Sequence, residues 1–414
     1  MSQPAVLESD GGLPPHVHGA ADPRFSSAVR TFARLFPGPS FGGGALAVYV
    51  HGEPVVDIWT GWSDRHGDVR WAADTGAMVF SASKGLATTV LHRLVDRGLL
   101  SYDAPIAQYW PEFGANGKSA ITVRDMMAHR AGLSHLKGVS KEQLLDHRLM
   151  EERLAAAPVD RLAGHTAYHA FTYGWLSSGL ARAITGMGMR DLVRSELARP
   201  LSTDGLHLGR PPADAPTKVA QIMFPQSTRA NPLFDHLAPR LAELPIAGGL
   251  GAMYVPGITS LVQRDIPFLD GEIPSVNAVV TARGLAKMYG ALANSGRIDE
   301  REFMSPELTR EFTGKLSLRP DLNVLFPMSF HLGYHGSPVP GLLRGFGHAG
   351  LGGTIGWADP TTRSSFGFVH NRLITPILLD QILFVPLILP VRCAAAAAHR
   401  RGFHTVPSFG APYP

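Results

Sequence analysis

Two stretches of the chain alternate as strands do and enclose a long middle of helical periodicity. Gly44 to Val50 reads as a strand, His51-Gly52-Glu53-Pro54 as a turn, and Val55 to Thr60 as the returning strand. Near the other end, Thr354 to Ala358 leads into the turn Asp359-Pro360-Thr361-Thr362, and Ser365 to His370 returns. Between them Leu86, Val90, Leu91, Leu94 and Val95 form an apolar stripe at helical spacing, closed by Gly98. Residues 123–129, 141–156, 173–184 and 282–293 repeat that pattern. Strands at both ends around a helical middle predict an α+β fold: an antiparallel sheet of N- and C-terminal strands flanked by helices, with a largely helical lobe inserted over about 100–280. No internal repeat and no linker interrupts it. The expected organisation is a mobile arm over 1–40, one domain over 41–398 and a tail over 399–414.

Composition narrows the classes. Of the 414 residues 45% are hydrophobic and 17% charged, enough apolar material for a large core. The 45 glycines and 33 prolines are scattered without a short period, which excludes collagen-like and low-complexity chains. A net charge of +4 with no basic run argues against nucleic acid as a partner. The single cysteine, Cys393, excludes an internal disulfide framework and a cysteine-based zinc site. Residues 1–23 carry no basic, then apolar, leader pattern, so a cytoplasmic location is expected. The most apolar stretch, 373–398, is broken by Asp380, Arg392 and three prolines, which exclude a spanning segment and are expected to prevent one continuous helix.

Candidate chemistry begins at Phe80-Ser81-Ala82-Ser83-Lys84-Gly85, which opens the first long helix. Residues three apart share a helix face, so the Lys84 amine can reach the Ser81 hydroxyl. A serine hydroxyl needs a neighbouring base to become a nucleophile, and lysine serves only when burial or nearby positive charge lowers its pKa. A helix start adds free N–H groups beside a developing oxyanion. Ser-x-x-Lys recurs at Ser134–Lys137, so four residues alone do not identify the site. Ser81 is preferred because an apolar lead-in precedes it and a strongly periodic helix follows, whereas Ser134 sits in a glycine-containing exit.

The residues around Ser81 resemble the serine β-lactamase and penicillin-binding-protein superfamily, in particular its class C-like esterase branch, the family VIII carboxylesterases and β-lactamase-domain lipases. The resemblance runs from about Gly43 to Arg372. Asp57 to Asp64, Phe80 to Gly85, Leu99 to Ile106, Tyr109 to Phe113 and Ile121 to Leu133 follow the family order. It implies Ser81 as nucleophile and a tyrosine as partner of Lys84. Tyr168 and Tyr173 compete for that place. Tyr168 follows Gly164 in what resembles the family's approach loop, and Tyr173 falls where a helix stripe begins, so Tyr168 is preferred. The asparagine of the family's Tyr-Ser-Asn turn is absent in either frame. The Lys-Thr-Gly-like strand reads His348-Ala349-Gly350. It implies an edge strand with His348 near the substrate and the Leu351 N–H as second oxyanion donor beside that of Ser81. Histidine in place of lysine removes a permanent positive charge, which suits neutral esters better than carboxylate-bearing lactams.

Other readings are weaker. No serine has glycine at both flanking positions, as an α/β-hydrolase elbow requires. His-Glu-x-x-His is absent and no metal site is expected. Most histidines, His129 and His165 included, read as structural or surface groups. Ser275-Val276-Asn277 matches the Ser-x-Asn of penicillin-binding proteins but lies far beyond Ser81, and is read as coincidence. The expectation is a cofactor-free serine carboxylesterase or lipase acting on a small ester or lipid. Its alternatives are a β-lactamase, D-aminopeptidase or acyltransferase on the same fold, and a catalytically silent scaffold. Residues 373–398 are expected to pack on the sheet, with peripheral lipid contact as the sharper alternative.

Overall fold

The computed structural model describes residues 6–9, 11–224, 249–263, 265–312, 318–325, 327–339, 341–373 and 380–413. The strands used below are β1 (Leu7–Glu8), β2 (His18–Ala21), β3 (Gly43–Val50), β4 (Glu53–Gly61), β5 (Thr75–Met78), β6 (Leu206–Leu208), β7 (Lys218–Val219), β8 (Ala278–Val280), β9 (Phe330–His331), β10 (Tyr334–His335), β11 (Phe346–Ala349), β12 (Ile355–Asp359) and β13 (Ser364–His370). The helices used below are α1 (Ser26–Arg34), α2 (Ser83–Asp96), α3 (Val123–Met127), α4 (His147–Ala156), α5 (Thr172–Thr185), α6 (Ala282–Ala293) and α7 (Val385–Arg401).

The main sheet is antiparallel, in the order β1-β2-β4-β3-β13-β12-β11-β10-β9. Both expected hairpins are present, β3 with β4 and β12 with β13. The first turns through His51 and Gly52, both at positive φ (54° and 85°), as a tight hairpin requires. β13 pairs with β3, Phe368 opposite Leu46 and Phe366 opposite Val48, so the two chain ends meet in the middle of the sheet.

β3 is buried along its whole length because its two faces serve different cores. Leu46, Val48 and Val50 face a layer containing Phe25, Phe32, Leu387 and Ile388 from the N- and C-terminal segments. Ala45, Ala47 and Tyr49 face the larger core, which holds α2 and α6. Small residues let α6 lie close to the sheet: a Cβ on Gly367 would sit 2.4 Å from the Ala282 carbonyl oxygen. α2 is buried on nearly every side and ends at Gly98 in the left-handed region (φ 69°).

Several expectations are corrected. The segment read as a mobile N-terminal arm supplies β2, paired with β4, and α1, packed under the sheet. Its apolar residues were too short a run to show periodicity. The tail beyond 398 also packs: the Val406 N–H donates to Pro54 O (2.9 Å) and the Ala411 N–H to Asp74 Oδ1 (3.1 Å). The helix expected over 141–156 breaks at Asp146, whose side chain caps α4 through the Leu149 N–H. The middle region carries a second sheet, β6-β8-β5-β7, in which β5 runs antiparallel to β8 and parallel to β7. Strands of two to four residues leave no alternation to read. Finally, α7 is one continuous helix of 17 residues despite Pro386 in its first turn and Pro390 inside it. Pro386 is tolerated where an N–H would be unbonded anyway. The cost of Pro390, about 3 kcal/mol, is offset by burying Leu387, Ile388, Val391, Ala394, Ala395 and Ala398. Pro376 lies outside the described residues.

Candidate active site

β5 and β8 deliver the chain to Ser81. Beyond β5, the Val79 N–H donates to Ala278 O (3.0 Å), and the Ala278 N–H donates to Ser83 Oγ (2.9 Å), so β8 grips both sides of the serine. Ser81 lies in the single 3₁₀ turn Phe80–Ala82 that leads into α2. Phe80 is held at φ 47°, a sparsely populated conformation for a bulky residue. Strain of this kind persists only where the surroundings impose it, and it gathers at functional sites.

Lys84, one helical turn on, is completely buried. Its Nζ lies 3.2 Å from Ser81 Oγ, 2.6 Å from Ala170 O and 3.1 Å from Ser275 O. No carboxylate forms an ion pair with it among the described residues. Burial therefore holds its pKa well below the ordinary lysine range. The amine also lies 4.8 Å from the centre of the Tyr168 ring. Tyr168 stacks on Phe330 (5.6 Å, 9°), and the Ser81 side chain is close enough to the phenol to favour its ionised form in part. Burial raises that phenol above its ordinary value, and the Asp321 charge adds to the rise. Tyr173 is elsewhere, its hydroxyl 2.5 Å from Thr88 Oγ1 in the core. The structure thus brings Ser81, Lys84 and Tyr168 together and leaves Tyr173 out.

β11 forms the opposite wall. Gly350, which follows it, packs against the strand leading to Ser81: a Cβ there would stand 2.0 Å from Val79 O. Thr354 Oγ1 donates to the same carbonyl at 3.0 Å. The Gly350 and Gly352 N–H groups are taken by Thr354 O and Gln381 Oε1. The Ser81 and Leu351 N–H groups have no acceptor among the described residues.

His348 is buried, with Nδ1 2.9 Å from Ala349 O. A carbonyl can only accept, so Nδ1 carries the proton and Nε2 is a bare acceptor, buried without a partner among the described residues. His335 packs edge-on to it at 4.8 Å and is locked likewise, Nδ1 on Gly336 O and Nε2 accepting from the Ala349 N–H. Burial, reinforced by His335 and Lys84, keeps His348 far below the usual imidazole range, and burial lowers His335 to about 4. Both rings are neutral near pH 7.

Parts of this arrangement escape sequence reasoning. The carbonyls of Ala170 and Ser275 carry no side-chain signature. Ser275-Val276-Asn277, read as coincidence, does reach the site, but through a main-chain oxygen. Its hydroxyl donates to Phe171 O, while Asn277 holds Phe268 O and Gly271 O. His129 is buried against both Tyr168 and Phe330. The second Ser-x-x-Lys is not a pair of this kind, since Ser134 Oγ meets His135 Nδ1 (3.2 Å). Among the described residues no group of three His, Cys, Asp or Glu side chains could hold a metal ion, and no helix is long and apolar enough to cross a membrane.

Comparison with known proteins agrees with this architecture. The β-lactamase family model matches residues 29–379. The chain is 58% identical over 399 residues to the esterase/β-lactamase LipL of Mycobacterium tuberculosis, covering 96% of this chain and 93% of that protein. The crystal structure of a family VIII carboxylesterase superposes with a TM-score of 0.80 at 29% identity, covering 91% of this chain and 99% of that one. A penicillin-binding protein homologue from Caulobacter crescentus gives 0.78 at 29% identity over the same shares. The chain belongs to the β-lactamase family and has its transpeptidase-like fold.

Proposed function

We propose that this β-lactamase-family chain is a serine hydrolase of carboxylic esters, with Ser81 as its nucleophile. The observation that carries the reading is the hydrogen-bond count at Lys84. A neutral amine has two N–H donors and one lone pair. An ammonium would donate to all three neighbours, whereas in the neutral form Ala170 O and Ser275 O take both donors and the lone pair is left to accept from the Ser81 hydroxyl. Burial without a counter-charge favours that neutral form. Lys84 is pushed down and Tyr168 up, so one suits the base and the other the acid.

The steps follow. Ser81 Oγ gives its proton to Lys84 Nζ and bonds to the ester carbonyl carbon. The carbonyl oxygen becomes an oxyanion held by the Ser81 and Leu351 N–H groups. Collapse breaks the carbon–oxygen ester bond, and the leaving alkoxide takes the Tyr168 hydroxyl proton, which Lys84 replaces. Water then attacks the acyl carbon, returns its proton through the same pair and releases the acid with Ser81 restored. His348 offers substrate a neutral ring, so a carboxylate-bearing substrate gains no ion pair there. The relatives named an esterase and a carboxylesterase support an ester as the substrate class.

The test is Ser81→Ala. Hydrolysis of a nitrophenyl ester and labelling by a fluorophosphonate should both vanish while the fold persists, and Ser134→Ala should change neither. Loss of activity in Ser134→Ala alone would move the site.

Lipid contact through residues 373–398 is the finer part of the reading. The apolar face of α7 is spent on the core; among the described residues of this stretch the exposed large apolar side chains are Ile382 (53% exposed) and Leu389 (66%), and α7 ends on the basic residues Arg400 and Arg401. Flotation with anionic vesicles that is lost in the doubly substituted Ile382→Ser, Leu389→Ser protein, with esterase activity retained, supports it. No flotation removes it.

A further inference from the structure

Tyr168 lies outside any helix or strand, so the placement of its hydroxyl depends on what holds residues 166–168. The turn Asp321–Val324, more than 150 residues away in sequence, does so by two routes. The Leu322 N–H donates to Thr166 O (3.0 Å), and Asn323 Nδ2 donates to Tyr168 O (3.0 Å). The turn is itself built for rigidity. Asp321 Oδ1 accepts from the N–H groups of Asn323 (2.9 Å) and Val324 (2.8 Å), and the two side-chain-bearing residues are 1% and 4% exposed. The turn thus bonds the main chain of Tyr168 through the Asn323 amide and the main chain two residues before it through the Leu322 N–H.

We infer that Asn323 is a positioning residue for Tyr168: its amide fixes the Tyr168 carbonyl and so sets where the hydroxyl stands relative to Ser81 and Lys84. The inference rests on the reading of Tyr168 as proton donor. A displacement of about 1 Å at a reacting group can cost about 10²-fold in rate. The effect falls on kcat, because Asn323 acts through Tyr168 and not on the bound ester.

The experiment is a double-mutant cycle on a nitrophenyl ester, with acylatable sites counted by the fluorophosphonate. Asn323→Ala should lower kcat by about 10- to 100-fold and leave KM within about 2-fold. On the Tyr168→Phe background the same substitution should cost less than about 2-fold, because the group it positions is gone. Asn323→Asp, which keeps the shape and the turn but replaces the donor by an oxygen, should reproduce the kcat loss even if the alanine variant folds poorly. Equal losses in both backgrounds, a rise in KM in place of a fall in kcat, or an active Asn323→Asp would overturn the inference. A fully active Tyr168→Phe would instead overturn the reading of Tyr168 on which it rests.

Discussion

Lys84 Nζ lies 2.6 Å from the carbonyl oxygen of Ala170, closer than its 3.2 Å approach to Ser81 Oγ. The amine is therefore held by the main chain beside Tyr168, and its remaining valence is directed at the serine. A buried amine tied to neutral oxygens is one that can lose its proton near neutral pH.

Lys84→Arg tests that state. A guanidinium keeps its charge at any accessible pH, so the variant should lose the base and hydrolyse esters about 10²–10⁴-fold more slowly. Steady-state kinetics on purified, folded protein give the answer. An arginine variant with wild-type activity would remove Lys84 from the proton pathway.

The two tyrosines separate in the same assay. Tyr168→Phe should lower kcat by about 10²–10⁴-fold. Tyr173→Phe removes a core hydrogen bond to Thr88 and should cost about 1 kcal/mol of stability with activity within a few-fold of wild type. Urea melts and kinetics on both proteins distinguish them, and the reverse ordering would exchange their roles.

Gly350→Ala probes the oxyanion wall. The added Cβ would stand 2.0 Å from Val79 O, so the segment carrying the Leu351 N–H must move away from Ser81. Expected are about 1–3 kcal/mol of destabilisation and a loss of roughly 10²-fold in kcat/KM. Unchanged kinetics would place the second oxyanion donor elsewhere.

Stability should fall steeply in mild acid. Burial lowers His169, His335 and His370 to about 4, from an ordinary value of 6.5. Between those values the unfolded chain binds the protons and the folded chain does not. Each histidine's contribution is thus full above about pH 6.5 and lost as pH falls towards 4, at about 1.4 kcal/mol per pH unit. Urea midpoints measured from pH 7 to pH 4 should drop across that window. A flat profile would mean the three rings are not neutral in the folded protein.

Much of this was readable in advance where a local pattern carries the signal. Alternation marked β3, β4, β12 and β13. Helical spacing marked α2, α5 and α6, whose observed bounds lie within a few residues of the expected ones. Short strands such as β5 and β8 were invisible because two to four residues carry no period, yet they deliver Ser81. The core role of residues 17–36 was likewise hidden, because burial of β2 and α1 depends on a helix from the opposite end of the chain.

At the site, the sequence carried the Ser81–Lys84 spacing, because a turn of helix places residues three apart on one face, and the order of motifs around it separated this copy from Ser134–Lys137. It also marked the glycine-rich strand end at His348-Ala349-Gly350, where backbone must approach backbone. The tertiary structure decided the rest. That Lys84 meets two carbonyls and no carboxylate, that Tyr168 and not Tyr173 faces it, that His348 and His335 are neutral, and that Asn323 grips Tyr168 all depend on contacts between segments far apart in the chain. Burial and hydrogen-bond geometry set protonation, and neither exists until those segments are packed together.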